Sequence, residues 1–395
     1  MYVVIGLGLF ETNDLTHEYV QYLQGKELKQ LTLTLAQHIR QALVNKGREH
    51  MHSEWIECGL FELSHMLLFE SSIKTLYGDI DPLSFEREYR IFDSNIHVLM
   101  YPYPTFIFKQ LYSSLIKAKQ FLIKQLYERQ HHPHDQDQLD RTRSLFVKFM
   151  NDLMCKYPEQ TVSINDIGSF NLALLWSAIG NTIPAVYWAL FYLLTGPTAT
   201  IDIIKKEIQQ HLSLFIRLDI PDENNDYQLD QLDKCVHLDS AIDETLRLVA
   251  TAMILRRCSK DTKITLDAER TLLIKKNEAI VLFPCASHYD SRIFHNPFQY
   301  KHDRFLPANL NVEQKRSFLP FGGGKFICPG RSMAKNTIKI SVAFVLQHLN
   351  IEFLNSDIRT PPLAKEKIPD FQNSRIGYGI APPREERRIR YSFKQ

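Results

Sequence analysis

Apolar residues recur along most of this chain at the three-to-four-residue spacing of an amphipathic helix. The clearest early case is Leu31–Val44, where Leu, Ile and Ala repeat at that interval. The stretch up to about Gln120 reads as helices joined by short polar turns. Ile167–Leu194 then runs for 28 residues without a charged side chain, long enough to cross a bilayer. Against that, Asn171, Ser177, Asn181 and Thr182 cluster with Gly180 and Pro184 near its middle, where lipid would leave polar groups unsolvated. The pattern predicts a helix that is apolar all round because it crosses the centre of a large soluble core. A polar loop follows at Pro221–Asp233, then a helix around Leu238–Val249. From Lys263 to Phe283 the spacing changes to short β-type runs at Ile264 and Leu266, Leu272–Ile274 and Ile280–Phe283. After a glycine-rich loop at Gly322–Gly324, helical spacing resumes over Ser332–Leu349. There is no internal repeat. The order predicts a mainly α protein with a small β part, built as one large domain over residues 1–395.

Composition narrows the function classes. The 395 residues carry 47 Lys and Arg against 45 Asp and Glu, so the net charge of +2 gives no reason to expect nucleic acid as a partner. An apolar content of 44% with 11% aromatics excludes a disordered chain. Six cysteines (Cys58, Cys155, Cys235, Cys258, Cys285 and Cys328) are widely spread and form no C-x-x-C pair, so five read as reduced thiols. His131–Asp140 holds His131, His132, His134, Asp135 and Asp137 around Pro133; it reads as a solvated loop, because consecutive side chains on a loop do not converge as metal ligands do. Gly6-Leu-Gly8 lacks the third glycine of a dinucleotide fingerprint, and the apolar opening Met1–Phe10 is too short to span a bilayer.

Cys328 stands apart from the other five. It lies in Phe321-Gly-Gly-Gly324-Lys-Phe-Ile-Cys328-Pro-Gly330-Arg-Ser-Met-Ala334. Glycines on both sides let backbone approach something flat and bulky. A helix beginning just beyond the sulfur points N–H groups and a positive dipole end at it, with Lys325 and Arg331 nearby, which favours thiolate. Gly322-Gly-Gly-Lys325 is not a phosphate loop, because Phe326 stands where Ser or Thr is needed. A lone thiolate of this kind suits a single axial bond to haem iron.

On these residues the chain resembles the cytochrome P-450 superfamily of haem-thiolate proteins. Its F-x-x-G-x-x-x-C-x-G pattern is met by Phe321, Gly324, Cys328 and Gly330, and Phe326 departs from the family's usual Arg or His. The resemblance implies haem b held by Cys328, with Phe321, Gly324 and Gly330 shaping its cradle and Arg256 reaching a propionate. It also implies a structural triad of Glu244, Arg247 and Arg304, of which Glu244 and Arg247 share a helix face at i, i+3. The uncharged helix gains a meaning too. Pro184 cannot donate to the Gly180 carbonyl, so the helix should kink there and open a polar notch. This is similar to the family's oxygen-binding groove, with Asn181 and Thr182 as the catalytic pair. Asn181 replaces the usual acid, so it can orient water but cannot supply a proton by titrating.

Leu175-Trp176…Asn181-Thr182-Ile-Pro184…Trp188 is similar to the steroid 7α-hydroxylases and prostacyclin synthase, as are Trp55–Gly78, Tyr300–Phe305, Ser374–Pro383 and Arg390–Lys394. Thr182 favours the hydroxylase branch, because a hydroxyl there relays protons that an isomerase does not need. The resemblance implies a monooxygenase acting on an apolar, sterol-like substrate with dioxygen, fed by NADPH through a flavoprotein reductase. Its alternatives are an isomerase working without external electrons, or an inactive haem-binding remnant. Trp176, Ile179 and Gly180 are substrate-pocket candidates, together with 249–255 and 376–380. Lys325, Arg331, Lys335 and Lys339 are candidates for the reductase surface, with a solvated helix face as the equal alternative. The family's place is the cytoplasmic face of the endoplasmic reticulum membrane, with Val98–Phe108 as a surface contact. Its anchor and first elements would lie before Met1, so a fragment, a mis-started reading frame or a shortened form is expected.

Overall fold

The computed structural model describes residues 22–50, 54–78, 80–99, 108–131, 164–219, 229–324, 327–354 and 370–394. Met1–Phe10, the polar run from His132 to Asp140, Cys155, Lys325, Phe326, most of Pro221–Asp233 and most of Val98–Phe108 lie outside them.

In chain order the elements are α1 (Gly25–Glu49), β1 (Ile56–Gly59), α2 (Leu60–Tyr77), α3 (Glu86–Ser94), α4 (Ile96–Leu99), α5 (Lys109–His131), α6 (Ile164–Ile179) and α7 (Thr182–Thr195). There follow α8 (Thr198–Leu212), α9 (Leu229–Leu232), α10 (Val236–Val249), β2 (Ile254–Arg257), β3 (Thr262–Thr265), β4 (Thr271–Ile274) and β5 (Ala279–Leu282). The last are α11 (Pro284–His288), α12 (Val312–Ser317), α13 (Arg331–His348), β6 (Leu349–Phe353) and β7 (Arg388–Phe393). The expected α-rich order with a small β part is what forms.

Gly168–Thr195 is long and apolar enough to cross a membrane by composition, yet it is packed inside the protein. From Thr182 to Phe191 every side chain of α7 is buried, against α2, α10 and α13. Burying that many large apolar groups at ~1.5–3 kcal/mol each makes this helix the axis of the core. α10 and α13 close around it, and α13 is buried on every side from Thr337 to Leu346.

The sheets are small. β7 is the central strand of β1-β7-β6, antiparallel to both, with Ile56 opposite Tyr391 and Phe353 opposite Ile389. The early stretch read as all helical therefore contains one strand. Four residues carry no local period, and their partner lies more than 300 positions away. β2 pairs with β5 and β3 with β4, both antiparallel; β3, β4 and β5 match the stretch read as β, whereas β2 lies before it, where the pattern predicts no strand.

Candidate functional site

The helix through the core is interrupted, as its glycine and proline demand. α6 ends at Ile179 and α7 begins at Thr182, with Gly180 and Asn181 in a turn between them. Thr182 is buried and its Oγ1 donates to the Ala178 carbonyl at 2.6 Å. The hydroxyl proton is thus committed, while the oxygen keeps lone pairs that can accept a hydrogen bond. Asn181 Oδ1 accepts the Ile380 N–H at 2.9 Å, so this side chain ties the break to the C-terminal segment. The carbonyl freed by Pro184 is occupied: Arg375 Nη2 donates to the Gly180 oxygen at 2.7 Å.

The three pocket candidates on this helix are placed as follows. Trp176 is buried, and its Nε1 donates to Asp93 on α3 at 2.8 Å. A Cβ on Gly180 would sit 2.7 Å from that same indole nitrogen, so the glycine is required by Trp176. Ile179 is fully buried and, with Gly180, lines a cavity of about 320 Å³ shared with Phe61, His65, Asp93 and Pro382. All three residues face α2, α3 and the C-terminal segment, where tight packing and the indole bond to Asp93 use them.

The segments 249–255 and 376–380 do come together. Thr251 N–H and Oγ1 both donate to the Gly379 carbonyl, at 3.0 and 2.7 Å, and Met253 N–H donates to the Gly377 carbonyl at 3.0 Å. Gly377 has φ +93° and Gly379 φ +134°, and Cβ atoms there would strike Met253 and Asn181. Downstream, Ile254 approaches the glycine loop, its Cδ1 being 3.8 Å from where a Cβ on Gly322 would lie. Arg256 shares that face of β2, two residues on, and is half-buried with Nη1 on the Leu255 carbonyl. Hydrogen bonds and contacts therefore run from the helix break through 376–380 and β2 to the cysteine loop.

That loop is pinned by its own backbone. Cys328 N–H donates to the Phe321 carbonyl at 2.9 Å, and Gly322 N–H to the Leu319 carbonyl at 3.1 Å. Gly322 (φ +75°) and Gly324 (φ +68°) turn in the left-handed region that glycine favours. A Cβ on Gly324 would meet open space, so conformation selects it; a Cβ on Gly330 would lie 4.0 Å from Cys328 Sγ, an ordinary contact. α13 starts at Arg331, so its N-terminus faces the sulfur as expected. The thiol is nevertheless pushed up from its ordinary value, because burial outweighs the Gly330 N–H and the Arg331 charge. The helix end does not by itself offset burial here; a metal cation at the sulfur would favour the thiolate. The other described cysteines, Cys58, Cys235, Cys258 and Cys285, are free thiols. Burial pushes Cys58 up to about 11 and Cys235 to about 12.

Behind the loop sits a cluster of buried charges. Arg247 Nε and Nη2 donate to the two oxygens of Glu244 at 2.8 and 3.0 Å, and Arg304 Nε reaches both at 3.0 Å. Glu244 and Arg247 are fully buried and Arg304 nearly so. The remaining donors are spent on carbonyls: Arg247 Nη1 on His288, Arg304 Nη1 on His295 and Nη2 on Gln299. His288, which no motif singled out, joins this cluster to the loop. Its Nε2 accepts the Leu319 N–H at 3.0 Å, and burial beside Arg247 lowers its pKa to about 4, so the ring is neutral.

The expected reductase surface loses two members. Lys335 pairs with Asp239 and Asp243 at 3.2 and 3.0 Å, and buried Lys339 pairs with Asp239 at 2.9 Å. The two aspartates, one turn apart on α10, draw both lysines inward, and burial holds the Asp243 carboxyl up at about 6. Arg331 donates to the Cys328 carbonyl.

The donor set fits a haem. Among the described residues no three His, Cys, Asp or Glu side chains converge, so Cys328 would be the one protein ligand to a metal whose other ligands come with the group. Glycines at positive φ shape the loop that would face it.

Known proteins agree with this geometry. The family model described as Cytochrome P450 matches residues 20–370. Cytochrome P450 7A1 of Sus scrofa is 26% identical, over 97% of this chain and 75% of that protein. The 25-hydroxycholesterol 7-alpha-hydroxylase of Rattus norvegicus is 28% identical, over 97% and 90%. The 7-alpha-hydroxycholest-4-en-3-one 12-alpha-hydroxylase of Oryctolagus cuniculus is 28% identical, over 95% and 74%. In fold, the crystal structure of the cytochrome P450DA heme domain superposes with a TM-score of 0.72 at 14% identity, over 98% of this chain and 78% of the other. With the cysteine loop, the charge cluster behind it and the broken core helix all in one fold, the chain belongs to the cytochrome P450 family of monooxygenases.

Proposed function

We propose that this monooxygenase hydroxylates an apolar sterol or steroid, with haem b on Cys328, dioxygen as co-substrate and electrons from an NADPH-linked flavoprotein reductase. One observation carries the hydroxylase reading: a buried threonine hydroxyl stands at the first position after the break in the core helix. The relatives named as sterol hydroxylases, at 26–28% identity, supply the substrate class.

Cys328 gives the iron its sulfur ligand, with the N–H of Gly330 and the charge of Arg331 offsetting part of the burial that opposes thiolate. Phe321, Gly324 and Gly330 form the loop around it, and Arg256 reaches toward a propionate. Haem bound there supplies an electron-rich iron at which dioxygen can be activated. Thr182, its own proton held on the Ala178 carbonyl, would offer oxygen lone pairs to a water that relays protons at the break, and Asn181 fixes the turn by holding Ile380. Glu244, Arg247 and Arg304 are structural: they brace the loop through His288. Residues 1–395 act as one domain, at the endoplasmic reticulum membrane as the mammalian relatives suggest.

Thr182→Ala should divert electrons from product to peroxide or water while leaving iron reduction unchanged. Measuring product formed per NADPH consumed checks this. Unchanged coupling, or fast endoperoxide rearrangement without any reductase, would replace the hydroxylase by an isomerase.

A further inference from the structure

Two side chains, Arg375 and Asp93, hold the core-helix break from outside, and the chemistry proposed above does not use them. Arg375, 1% exposed, donates through Nη2 to the freed Gly180 carbonyl. Its Nη1 donates to the Asp93 carbonyl at 3.0 Å and pairs with the Asp93 carboxylate. That carboxylate also takes the Trp176 Nε1–H, and the guanidinium carbon lies 5.3 Å from the centroid of the Trp176 ring. A second fastening comes from Asn181, whose Oδ1 holds Ile380 so closely that a Cβ on Gly379 would come within 2.0 Å of it. Gly180 and Asn181 are thus each bound to 375–380, and Asp93 extends the connection to α3.

We infer that Arg375 and Asp93 form a positioning latch. They keep the α6–α7 break open, hold Thr182 at its edge and couple the break to α3. A water could satisfy a freed carbonyl in a kinked helix. Here a buried cation does so, and the carboxylate that holds the cation belongs to another helix. The arrangement has a cost that a purely space-filling arginine would avoid: Arg375 Nε is buried without a partner. Reaching Gly180 and Asp93 together takes precedence over satisfying every donor. The consequence for turnover rests on the hydroxylase reading; the latch itself rests on protein geometry.

The test uses the full chain in its haem-loaded ferric form, with Arg375→Met, Arg375→Lys and Asp93→Asn variants. Amide hydrogen exchange is read over 180–185, with 340–346 in α13 as the internal reference. The band of carbon monoxide on the reduced protein reports on the notch. Arg375→Met should speed exchange at 180–185 about tenfold, leave α13 unchanged and shift the carbon monoxide band. Arg375→Lys should recover most of the protection, and Asp93→Asn should show a smaller increase of about threefold. Equal acceleration in α13, or no change at 180–185 in any variant, overturns the latch. Faster local exchange with an unmoved carbon monoxide band overturns the positioning role. If the haem reading itself fails, the wild-type protein shows no thiolate-type spectrum, and the exchange result stands apart from that.

Discussion

Two buried arginine–carboxylate hubs hold this fold, and they are built differently. At Glu244 a fully buried carboxylate receives two arginines, and the described donors of both guanidinium groups end on the carboxylate or on backbone carbonyls. At Asp93 the carboxylate is about a quarter exposed, serves one arginine and one indole, and leaves Arg375 Nε unpartnered. The first hub braces the cysteine loop and has no slack. The second crosses from α3 to the helix break and gives up one hydrogen bond to do so. A saturated hub makes a rigid platform; an incomplete one joins elements that must stay in register.

The largest effect should come from the saturated hub. Glu244→Gln leaves two buried arginines without their counter-charge, which costs about 3–5 kcal/mol. Denaturant unfolding checks this, and a loss under about 1 kcal/mol would place the cluster's weight elsewhere.

Acid should weaken the fold next, through one histidine beside each hub. His288, held at about 4, and His65, held at about 3 by burial, stay neutral in the folded protein, whereas in the unfolded chain both protonate near 6.5. The unfolded state then binds more protons, so their stabilisation is complete above pH 6.5 and falls as pH drops toward 4. The slope is about 1.4 kcal/mol per pH unit for each ring. Asp243, raised to about 6, works in the opposite direction below that pH and offsets one ring's share. Unfolding midpoints between pH 7 and 5 measure the slope, and His65→Phe should remove its own part; a flat profile would mean that at least one ring protonates in the folded protein as readily as in the unfolded chain.

Arg375→Met at the incomplete hub should cost less, about 1–3 kcal/mol for the carbonyl left behind. Gly180→Ala should cost a similar ~1–3 kcal/mol, because the new methyl meets Trp176. If Gly180→Ala is neutral, the indole does not set that position. Smallest is Lys335→Gln, roughly 1 kcal/mol by the same unfolding assay, since that lysine is partly exposed beside Asp239 and Asp243.

The two hubs also differ in how far the chain announces them. Glu244 and Arg247 stand three apart on one helix face, a spacing that by itself marks only a surface pair; the family resemblance brings in Arg304, 60 positions on, and implies the triad. The glycines around Cys328 and the Gly180–Pro184 pair do announce a loop and a break, because each is a backbone constraint carried by its own residues. What fills the break was not legible. Arg375 is 195 positions from Gly180 and 282 from Asp93, and no local period links residues so far apart. Trp176 is implied as a pocket residue by the family resemblance, and the carboxylate that takes its N–H, 83 positions away, leaves no local signal. Lys335 and Lys339 read as a free basic surface because the aspartates that neutralise them belong to another helix.

The central claim is that Cys328 binds haem iron as thiolate, although its surroundings hold the free thiol above its ordinary pKa. The direct measurement is the carbon monoxide difference spectrum of the reduced protein, for wild type and Cys328→Ser side by side. The wild type should give the red-shifted band of a thiolate-ligated haem, and the variant should lose it. A wild-type band at the position of histidine-ligated haem, or the same spectrum from both proteins, would contradict it.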